Sequence, residues 1–213
     1  MSIITEIKKS VINGKQDDCR DLVQAALEDE AGVESILNDG LISGMREVGR
    51  RFKEGEYFVP EVLIAARAMN FGMAVIEPLF AESGIEPVGR VLLGTVKDDI
   101  HDIGKNLVGM MMKGSGFEVI DLGHDVPPER FVEAANDDGI DAVLMSSLLT
   151  TTMPNMASTV GALRDSGLRD RLVIMVGGAP LSDRFAKEIG ADGFAPDAAS
   201  AVEVLRELLG QKK

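Results

Sequence analysis

The residue types and spacing most suited to metal chemistry occur at Asp99, His101 and Gly104, in the run Asp-Ile-His-Asp-Ile-Gly. His101 is one of only two histidines in the chain, and a neutral imidazole nitrogen is a common metal ligand. A carboxylate two residues earlier can accept the proton on the other ring nitrogen, which fixes the tautomer and makes the ligand more basic. The spacing therefore predicts a metal site with one histidine ligand and a supporting aspartate.

Two further unusual segments follow short apolar runs later in the chain. A hydroxyl-rich run occupies residues 146–152, and Gly177 and Gly178 follow another apolar run. The hydroxyls can satisfy the Asp99 carboxylate, and the glycines remove side chains where a bulky group passes close to the backbone. Each segment alone has an ordinary explanation, since hydroxyl residues often cap helices and glycine pairs often form turns. Their occurrence at adjacent strand ends favours a ligand site.

The elements that must position these residues follow from the hydrophobic pattern. Residues 1–86 carry apolar side chains at spacings of three and four, and Gly14 and Gly55 interrupt the pattern into about four helices. Pro60 suits the first turn of the last helix. Short helices with short loops predict a small four-helix bundle, and the composition of residues 83–89 is typical of a linker that could act as a hinge.

From residue 90 onward, short β-branched runs alternate with helical segments. Strands are predicted at residues 91–96, 117–121, 142–146, 172–176 and 193–195, and helices at residues 105–113, 129–138, 155–164, 183–189 and 198–209. This alternation predicts a flavodoxin-like (Rossmann-like) parallel sheet of five strands in the order 2-1-3-4-5, with ligands at the carboxyl ends of the strands. The fold class is therefore α plus α/β, with domains at 1–86 and 87–213.

Composition limits the classes of function. The net charge of −13 and the absence of a visible Lys/Arg patch argue against nucleic-acid binding, and favour solubility or a basic partner. Cys19 is the only cysteine, so neither an internal disulfide nor a cysteine-ligated zinc or iron–sulfur site is expected. We see no signal peptide and no apolar run near the roughly 18 residues that span a bilayer, and expect a cytoplasmic protein without membrane contact.

Phosphate-binding alternatives lack their residues. No Gly-x-Gly-x-x-Gly follows the first strand and no Gly-Lys-Ser/Thr is present, so neither dinucleotide nor P-loop binding is supported. A phospho-receiver domain needs an aspartate after the third strand, where this chain has Ser146 and Ser147. His124, after the second strand, lacks the Asp-x-His pairing and is interpreted as a loop residue.

Together these motifs resemble the cobalamin-binding signature of methionine synthase, the glutamate and methylmalonyl mutases, and corrinoid methyl carriers. The runs 95–108 and 119–127 resemble the methyltransfer branch, and segments 44–61 and 65–69 resemble its helical cap. The resemblance covers essentially the whole chain. The overall size of the chain and the order of its two regions are similar to those of the small corrinoid proteins of anaerobic methylamine, betaine, methanol and methoxyarene demethylation.

The resemblance implies cobalamin bound base-off and His-on, with His101 as the lower axial ligand of cobalt. Asp99 and Thr152 would complete a relay, Thr152 standing where the methionine synthase pattern has serine. Phe52 and Val59 match cap positions over the methyl-bearing face, with simple core packing as the alternative for both. The tail of the cofactor would enter a slot in the sheet domain, and the implied cofactor-binding residues are Asp98, Asp99, Ile100, His101, Asp102, Ile103, Gly104, Ser146, Leu148, Thr150, Gly177, Gly178 and Ala198.

The function that the resemblance implies is a methyl carrier. It would shuttle a methyl group between a substrate-specific methyltransferase and a second methyltransferase that acts on tetrahydrofolate or a thiol. A reductive activator of cobalt(II) is a further implied partner. No substrate-activating acid–base pair is visible, so we expect a corrinoid subunit that is not catalytic alone.

Two other cobalamin functions fit the sequence less well than the carrier does. A cobalamin-dependent sensor or light-responsive regulator is the alternative, but such proteins usually add a DNA-binding segment and a cap tryptophan, and this chain has no Trp. A small subunit of an adenosylcobalamin mutase would not need the N-terminal helices.

Overall fold

The computed structural model describes residues 2–79 and 86–212, with only the backbone of Lys212. Its chain divides into two compact units, Met1–Pro87 with Lys113–Gly116, and Val88–Met112 with Phe117–Lys213. Phe80, which ends the helical pattern of the last N-terminal helix, and residues 83–85 of the expected linker lie outside the described residues.

Four helices form the described part of the first unit, as predicted. Helix α1 is separated from α2 at Gly14, and α3 ends before Gly55. A π-helical segment lies within α3, and a short 3-10 turn, Glu77–Leu79, follows α4. The bounds are Ile3–Ile12 for α1, Gln16–Glu28 for α2, Val33–Ser35, Ile36–Ile42 and Ser43–Lys53 in succession for α3, and Val59–Ile76 for α4.

Small residues let the helices of this unit approach one another. A Cβ atom on Gly44 would lie 2.8 Å from Cβ of Val11, so α1 and α3 pack with little space between their backbones. Pro60 occupies the first turn of α4, where its missing N–H costs no helical hydrogen bond. The Glu61 carboxylate accepts a bond from the Phe58 N–H at 2.9 Å, which caps the start of that helix.

Helix α4 is more apolar than we expected. Together with the turn that follows it, α4 (Val59–Leu79) is long and apolar enough to cross a membrane by length and composition alone, with a mean hydropathy of 1.4 over 18 residues. The expectation that no apolar run approaches 18 residues was therefore wrong for this helix. The core helix of a helical bundle has the same composition, and α4 buries one face that includes Val62, Ala65 and Met69.

A five-stranded parallel sheet forms the second unit, in the order β2-β1-β3-β4-β5, which confirms the predicted fold class. The strands are Arg90–Thr95 (β1), Glu118–Asp121 (β2), Ala142–Ser146 (β3), Val173–Gly177 (β4) and Gly193–Ala195 (β5). The helices are Ile103–Lys113 (α5), Pro128–Ala135 (α6), Met153–Asp165 (α7), Asp183–Ile189 (α8) and Ala198–Lys212 (α9). The central strands β1, β3 and β4 are buried almost throughout, as parallel strands covered on both faces must be.

Some element ends differ from the prediction for local reasons. Val96 leaves β1 and instead forms an isolated parallel bridge with Val126. Helix α6 ends at Ala135 rather than at residue 138, because the Asp137 carboxylate accepts a bond from the Gly139 N–H at 2.9 Å and closes a turn.

Strand register sets the place of the site. Thr95 pairs with Ser146, and Ser146 pairs with Gly177, so β1, β3 and β4 end at the same level of the sheet. The three loops that follow therefore begin side by side at the carboxyl edge.

Candidate functional site

The loops after β1, β3 and β4 are joined by hydrogen bonds between their backbones. The Val96 N–H donates to the Ser146 carbonyl at 3.0 Å, and the Ser147 N–H donates to the Gly177 carbonyl at 3.2 Å. The segments that carry Asp99, the hydroxyl run and the glycine pair are thus brought together, as the sequence predicted.

The Asp99 carboxylate is the centre of this arrangement and is fully buried. Its Oδ1 accepts a bond from the His101 N–H at 3.0 Å and lies 2.8 Å from His101 Nδ1. Its Oδ2 accepts bonds from the Leu148 N–H and the Thr152 hydroxyl, both at 2.8 Å, and a longer one from the Leu149 N–H at 3.3 Å. Both oxygens are therefore satisfied by donors from two loops.

These donors decide the protonation state of Asp99. Burial by itself would raise the pKa of this carboxyl, because it removes the charge from water. Bonds from the backbone N–H groups of Leu148 and His101, from the His101 ring and from the Thr152 hydroxyl outweigh burial and hold the pKa well below its usual range. Asp99 is consequently an anion at neutral pH and can only accept hydrogen bonds.

An ionised Asp99 selects the tautomer of His101. Since the carboxylate only accepts, Nδ1 of the neutral ring must carry the hydrogen, and Nε2 keeps its lone pair for a metal. The His101 side chain is 46% exposed, so the ring reaches the surface while its partner is buried. The Thr95 hydroxyl donates to the His101 carbonyl at 3.0 Å and fixes the backbone at the ligand.

Sequence reasoning did not single out two of the hydroxyl groups that matter here, although Ser147 lies in the hydroxyl-rich run 146–152 that it assigned to Asp99. Ser147 is fully buried, with its Oγ 2.7 Å from Thr152 Oγ1 and 3.4 Å from Asp99 Oδ2, whereas the predicted Ser146 is only half-buried at the end of β3. Thr95 was also missed. The signal for Ser147 was its place in the hydroxyl run; the signal for Thr95 was a polar residue at the end of an apolar strand.

The other predicted residues of the ligand segment are neighbours of His101 in the sequence. Ile100 is 69% exposed and Ile103 is 80% exposed, so apolar side chains stand at the surface on both sides of His101. The Asp98 N–H donates across to the neighbouring loop, to Asp125 Oδ1 at 2.7 Å. The Asp102 carboxylate accepts a bond from Asn106 Nδ2 at 3.1 Å, one turn into α5.

The three predicted glycines differ in whether the surrounding protein leaves room for a side chain. Gly178 has φ +138°, and a Cβ there would lie 1.9 Å from the Ser147 carbonyl oxygen, so the fold itself requires glycine. A Cβ on Gly177 would meet the Ala195 carbonyl oxygen at an ordinary 3.4 Å. A Cβ on Gly104 meets no atom within 4 Å among the described residues, so packing against these residues does not require glycine there.

The predicted residues outside these segments differ in their exposure to solvent. Leu148 is 44% exposed, Thr150 is exposed, and Ala198 is buried at the start of α9. Phe52 is half-buried near the end of α3. Val59, the first residue of α4, is 37% exposed. The cap role of these last two residues stays a prediction.

Protein ligands alone do not complete a metal site. In residues 2–79 and 86–212, no group of three or more His, Cys, Asp or Glu side chains could hold a metal ion. His124, the other histidine, is exposed in the loop after β2. In the described residues, His101 is therefore not part of a cluster of three or more His, Cys, Asp or Glu side chains.

Known proteins resemble this chain over nearly its whole length. Residues 89–206 match a family model described as B12 binding domain, and residues 3–77 match a second model with the same description. The chain is similar to a corrinoid protein of Desulfitobacterium hafniense (strain Y51), with 42% identity over 214 residues and 99% of each chain covered. It is also similar to the dimethylamine corrinoid protein of Methanosarcina barkeri, with 40% identity and 97% of each chain covered.

A solved structure shows the same likeness in three dimensions. The methanol:cobalamin methyltransferase complex MtaBC from Methanosarcina barkeri contains a chain that matches with a TM-score of 0.85 and 30% identity. The match covers 98% of this chain and 80% of that chain.

Proposed function

This chain belongs to the family of B12-binding corrinoid proteins, and from that premise we propose that it carries methyl groups on a cobalamin held base-off, with His101 as the lower axial ligand of cobalt. The single observation that carries the proposal is the His101 ring, half-exposed and fixed through Nδ1 to a buried, ionised aspartate at 2.8 Å. That geometry leaves one lone pair, on Nε2, for one metal coordination position.

The residues present fit a corrin ring. Cobalamin would supply most of the cobalt ligands itself, so a protein that contributes one imidazole matches it. The exposed side chains of Ile100, Ile103 and Leu148 offer apolar contact to a broad, flat group. The open space at the Gly104 Cβ position would let such a group approach the start of α5 closely.

Each residue has a stated task in this proposal. When bound, cobalamin supplies a cobalt centre that can accept a methyl group and give it up. His101 Nε2 would bind the cobalt, and Asp99 would hold the Nδ1 proton and make the ring a better donor. With Nε2 free of metal, the ring could take up a proton there, and the Asp99 carboxylate would stabilise the resulting imidazolium. Thr152 keeps Asp99 oriented through its hydroxyl.

The proposed partners are a substrate-specific methyltransferase, a second methyltransferase that acts on tetrahydrofolate or a thiol, and a reductive activator of cobalt(II). Support for the first comes from the relatives, which include a dimethylamine corrinoid protein and a chain of a methanol:cobalamin methyltransferase complex. Because those relatives differ in donor, we assign donor choice to the partner enzyme rather than to this chain.

The test is anaerobic reconstitution of the full chain with hydroxocobalamin, beside His101→Ala and His124→Ala. We expect the wild-type protein to retain one equivalent with a base-off, histidine-ligated absorption spectrum. His101→Ala should lose that spectrum and bind the corrinoid more weakly, since only this ring faces Asp99. His124→Ala, the matched control on an exposed loop, should behave as wild type. An unchanged spectrum in His101→Ala would refute the ligand assignment.

The carrier role is tested separately with isotopically labelled methyl donors. The reduced, reconstituted protein is mixed with methylamine or methanol methyltransferases and their labelled donors, and label is measured on the protein-bound cofactor. Label from at least one donor is expected. Intact binding with no label from any of these donors would contradict the carrier role for methylamines and methanol.

A further inference from the structure

The loop that carries the proposed cobalt ligand, residues 96–101 (the ligand loop), is held by hydrogen bonds along most of its backbone. The Asp99 N–H donates to the Val96 carbonyl at 3.2 Å, and the Thr95 hydroxyl binds the His101 carbonyl. Within this loop Asp98 has φ +66°, a left-handed conformation that is uncommon for residues other than glycine. A strained residue so close to a ligand persists only where its surroundings fix it.

The residue that fixes it lies on another loop. Asp125, between β2 and α6, accepts the Asp98 N–H on Oδ1 at 2.7 Å and donates its own N–H to the Asp99 carbonyl at 3.0 Å. Asp125 is itself left-handed, with φ +53°. Its side chain thus reaches a residue 27 positions away instead of closing a turn on its own loop.

A second side chain holds the ligand loop from the opposite neighbour in the sheet. Asn155 in α7, the helix after β3, donates Nδ2 to the Lys97 carbonyl at 2.7 Å. Since β2 and β3 flank β1, the loop is fastened from both sides. Asp125 contributes two bonds, one to the peptide unit before Asp98 and one to the peptide unit after Asp99, and these bonds bracket the backbone of both residues.

We propose that Asp125 is a positioning residue for the axial ligand. This inference rests on the proposed function, because it concerns the same histidine. The two bonds of Asp125 hold residues 98 and 99 in the one backbone conformation that directs the Asp99 carboxylate to its buried donors. Asp99 then holds the imidazole, so the ligand is oriented before the corrinoid arrives and little conformational freedom is lost on binding.

Three variants separate the hydrogen bond from backbone strain. Asp125→Gly keeps the left-handed conformation and removes the acceptor. Asp125→Asn keeps an acceptor oxygen and tolerates that conformation. The matched control is Asp141→Asn, which alters an aspartate whose Oδ2 accepts the Arg90 N–H at 2.8 Å beside the start of β1, away from the ligand.

Axial ligation is read from the nitrogen splitting in the electron paramagnetic resonance spectrum of the reconstituted, cobalt(II) protein. Corrinoid retention is measured by equilibrium dialysis with hydroxocobalamin. For Asp125→Gly we expect roughly tenfold to a hundredfold weaker retention and a smaller histidine-ligated fraction, the range found when residues that support a metal ligand are lost. Asp125→Asn should restore most of both, and Asp141→Asn should leave both unchanged.

A measurement on the cofactor-free protein tests the role of Asp125 independently of the proposed function. In Asp125→Gly, amide hydrogen exchange at Asp98 should be at least about tenfold faster than in wild type, while thermal unfolding confirms that the fold survives. No histidine ligation in the wild-type protein would refute the proposed function. Two outcomes would refute the role given to the hydrogen bond that the Asp125 side chain accepts from Asp98. One is histidine ligation in folded Asp125→Gly that equals wild type, and the other is loss of histidine ligation in folded Asp125→Asn.

Discussion

At the scale of single residues, the site depends on a buried charge that its neighbours stabilise. Asp99 is removed from water, yet it stays ionised because backbone N–H groups, a hydroxyl and an imidazole all donate to it. Asp-x-His spacing indicated the pair, and the Thr152 hydroxyl expected in the relay lies at hydrogen-bond distance. The role of these residues in binding cobalt stays a prediction.

The two motif glycines Gly104 and Gly178 give a residue-scale prediction. Gly178→Ala should destabilise the cofactor-free protein by about 2 kcal/mol or more, since the new methyl group would collide with the Ser147 carbonyl at a left-handed position. Gly104→Ala should leave the stability of the cofactor-free protein unchanged, or raise it by up to about 1 kcal/mol, and should weaken corrinoid retention.

Urea unfolding of the cofactor-free variants and dialysis against hydroxocobalamin measure the two effects. Each glycine serves as the control for the other. Equal loss of stability in both variants would mean that Gly104 is structural, and unaltered retention in Gly104→Ala would remove it from the proposed corrin contact.

At the scale of elements, an ion-pair cluster joins the end of α3 to the segment that leads into α4. Glu47 accepts bonds from the guanidinium groups of Arg50 and Arg51, at 2.8 and 2.9 Å. Arg51 also donates to the Tyr57 hydroxyl at 3.0 Å, which in turn donates to the Ile12 carbonyl at the end of α1. This cluster ties α1 and α3 to the segment that leads into α4, just before Val59.

Glu47 gives this cluster a pH dependence. Hydrogen bonds from Arg50 first and Arg51 second lower the pKa of Glu47 to about 2, below its ordinary value of about 4.3. Because the folded-state pKa is the lower one, the stabilisation is complete above about pH 5 and is lost as the pH falls toward 2. Glu47→Gln should therefore cost about 1 kcal/mol at pH 7, and its difference from wild type should narrow in acid.

Chemical denaturation of the cofactor-free protein between pH 7 and pH 3 measures that difference. Glu188→Gln is the control, because Glu188 pairs with Arg184 on the exposed face of α8, where such pairs contribute little. A Glu47→Gln difference that is constant with pH would show that the ion pairs of Glu47 do not contribute.

At the scale of the whole molecule, the net charge of −13 bears on partner choice. A methyl carrier of the proposed kind meets separate enzymes, and an acidic protein is attracted to basic surfaces. Association with a methyltransferase that methylates its cofactor should therefore slow as salt rises. From about 0.1 M to about 1 M salt the Debye length falls from about 10 to about 3 Å, and we expect at least about a tenfold lower association rate.

Stopped-flow measurement of complex formation tests this expectation, with sucrose at matched viscosity as the uncharged control. The dissociation rate should change less than the association rate. An association rate that is independent of salt would show that charge does not guide the encounter.

The sequence by itself determined the fold class, the strand order, the identity of the ligand-type residues and the family. Alternation of strands and helices follows from local side-chain patterns, and the handedness of the crossovers then leaves few arrangements of the sheet. His101 and Asp99 were predictable because their pairing spans two residues.

Tertiary structure alone decided which distant groups complete the site. Ser147 rather than Ser146 is the buried hydroxyl, Gly178 is required by a carbonyl on another loop, and Asp125 reaches Asp98 from 27 residues away. These contacts depend on the register that aligns the ends of β1, β3 and β4, and register comes from packing across the whole sheet. Residue spacing along the chain does not encode this register. The motif therefore predicted His101 as a candidate ligand, whereas only the fold shows which distant groups contact the loop that carries it.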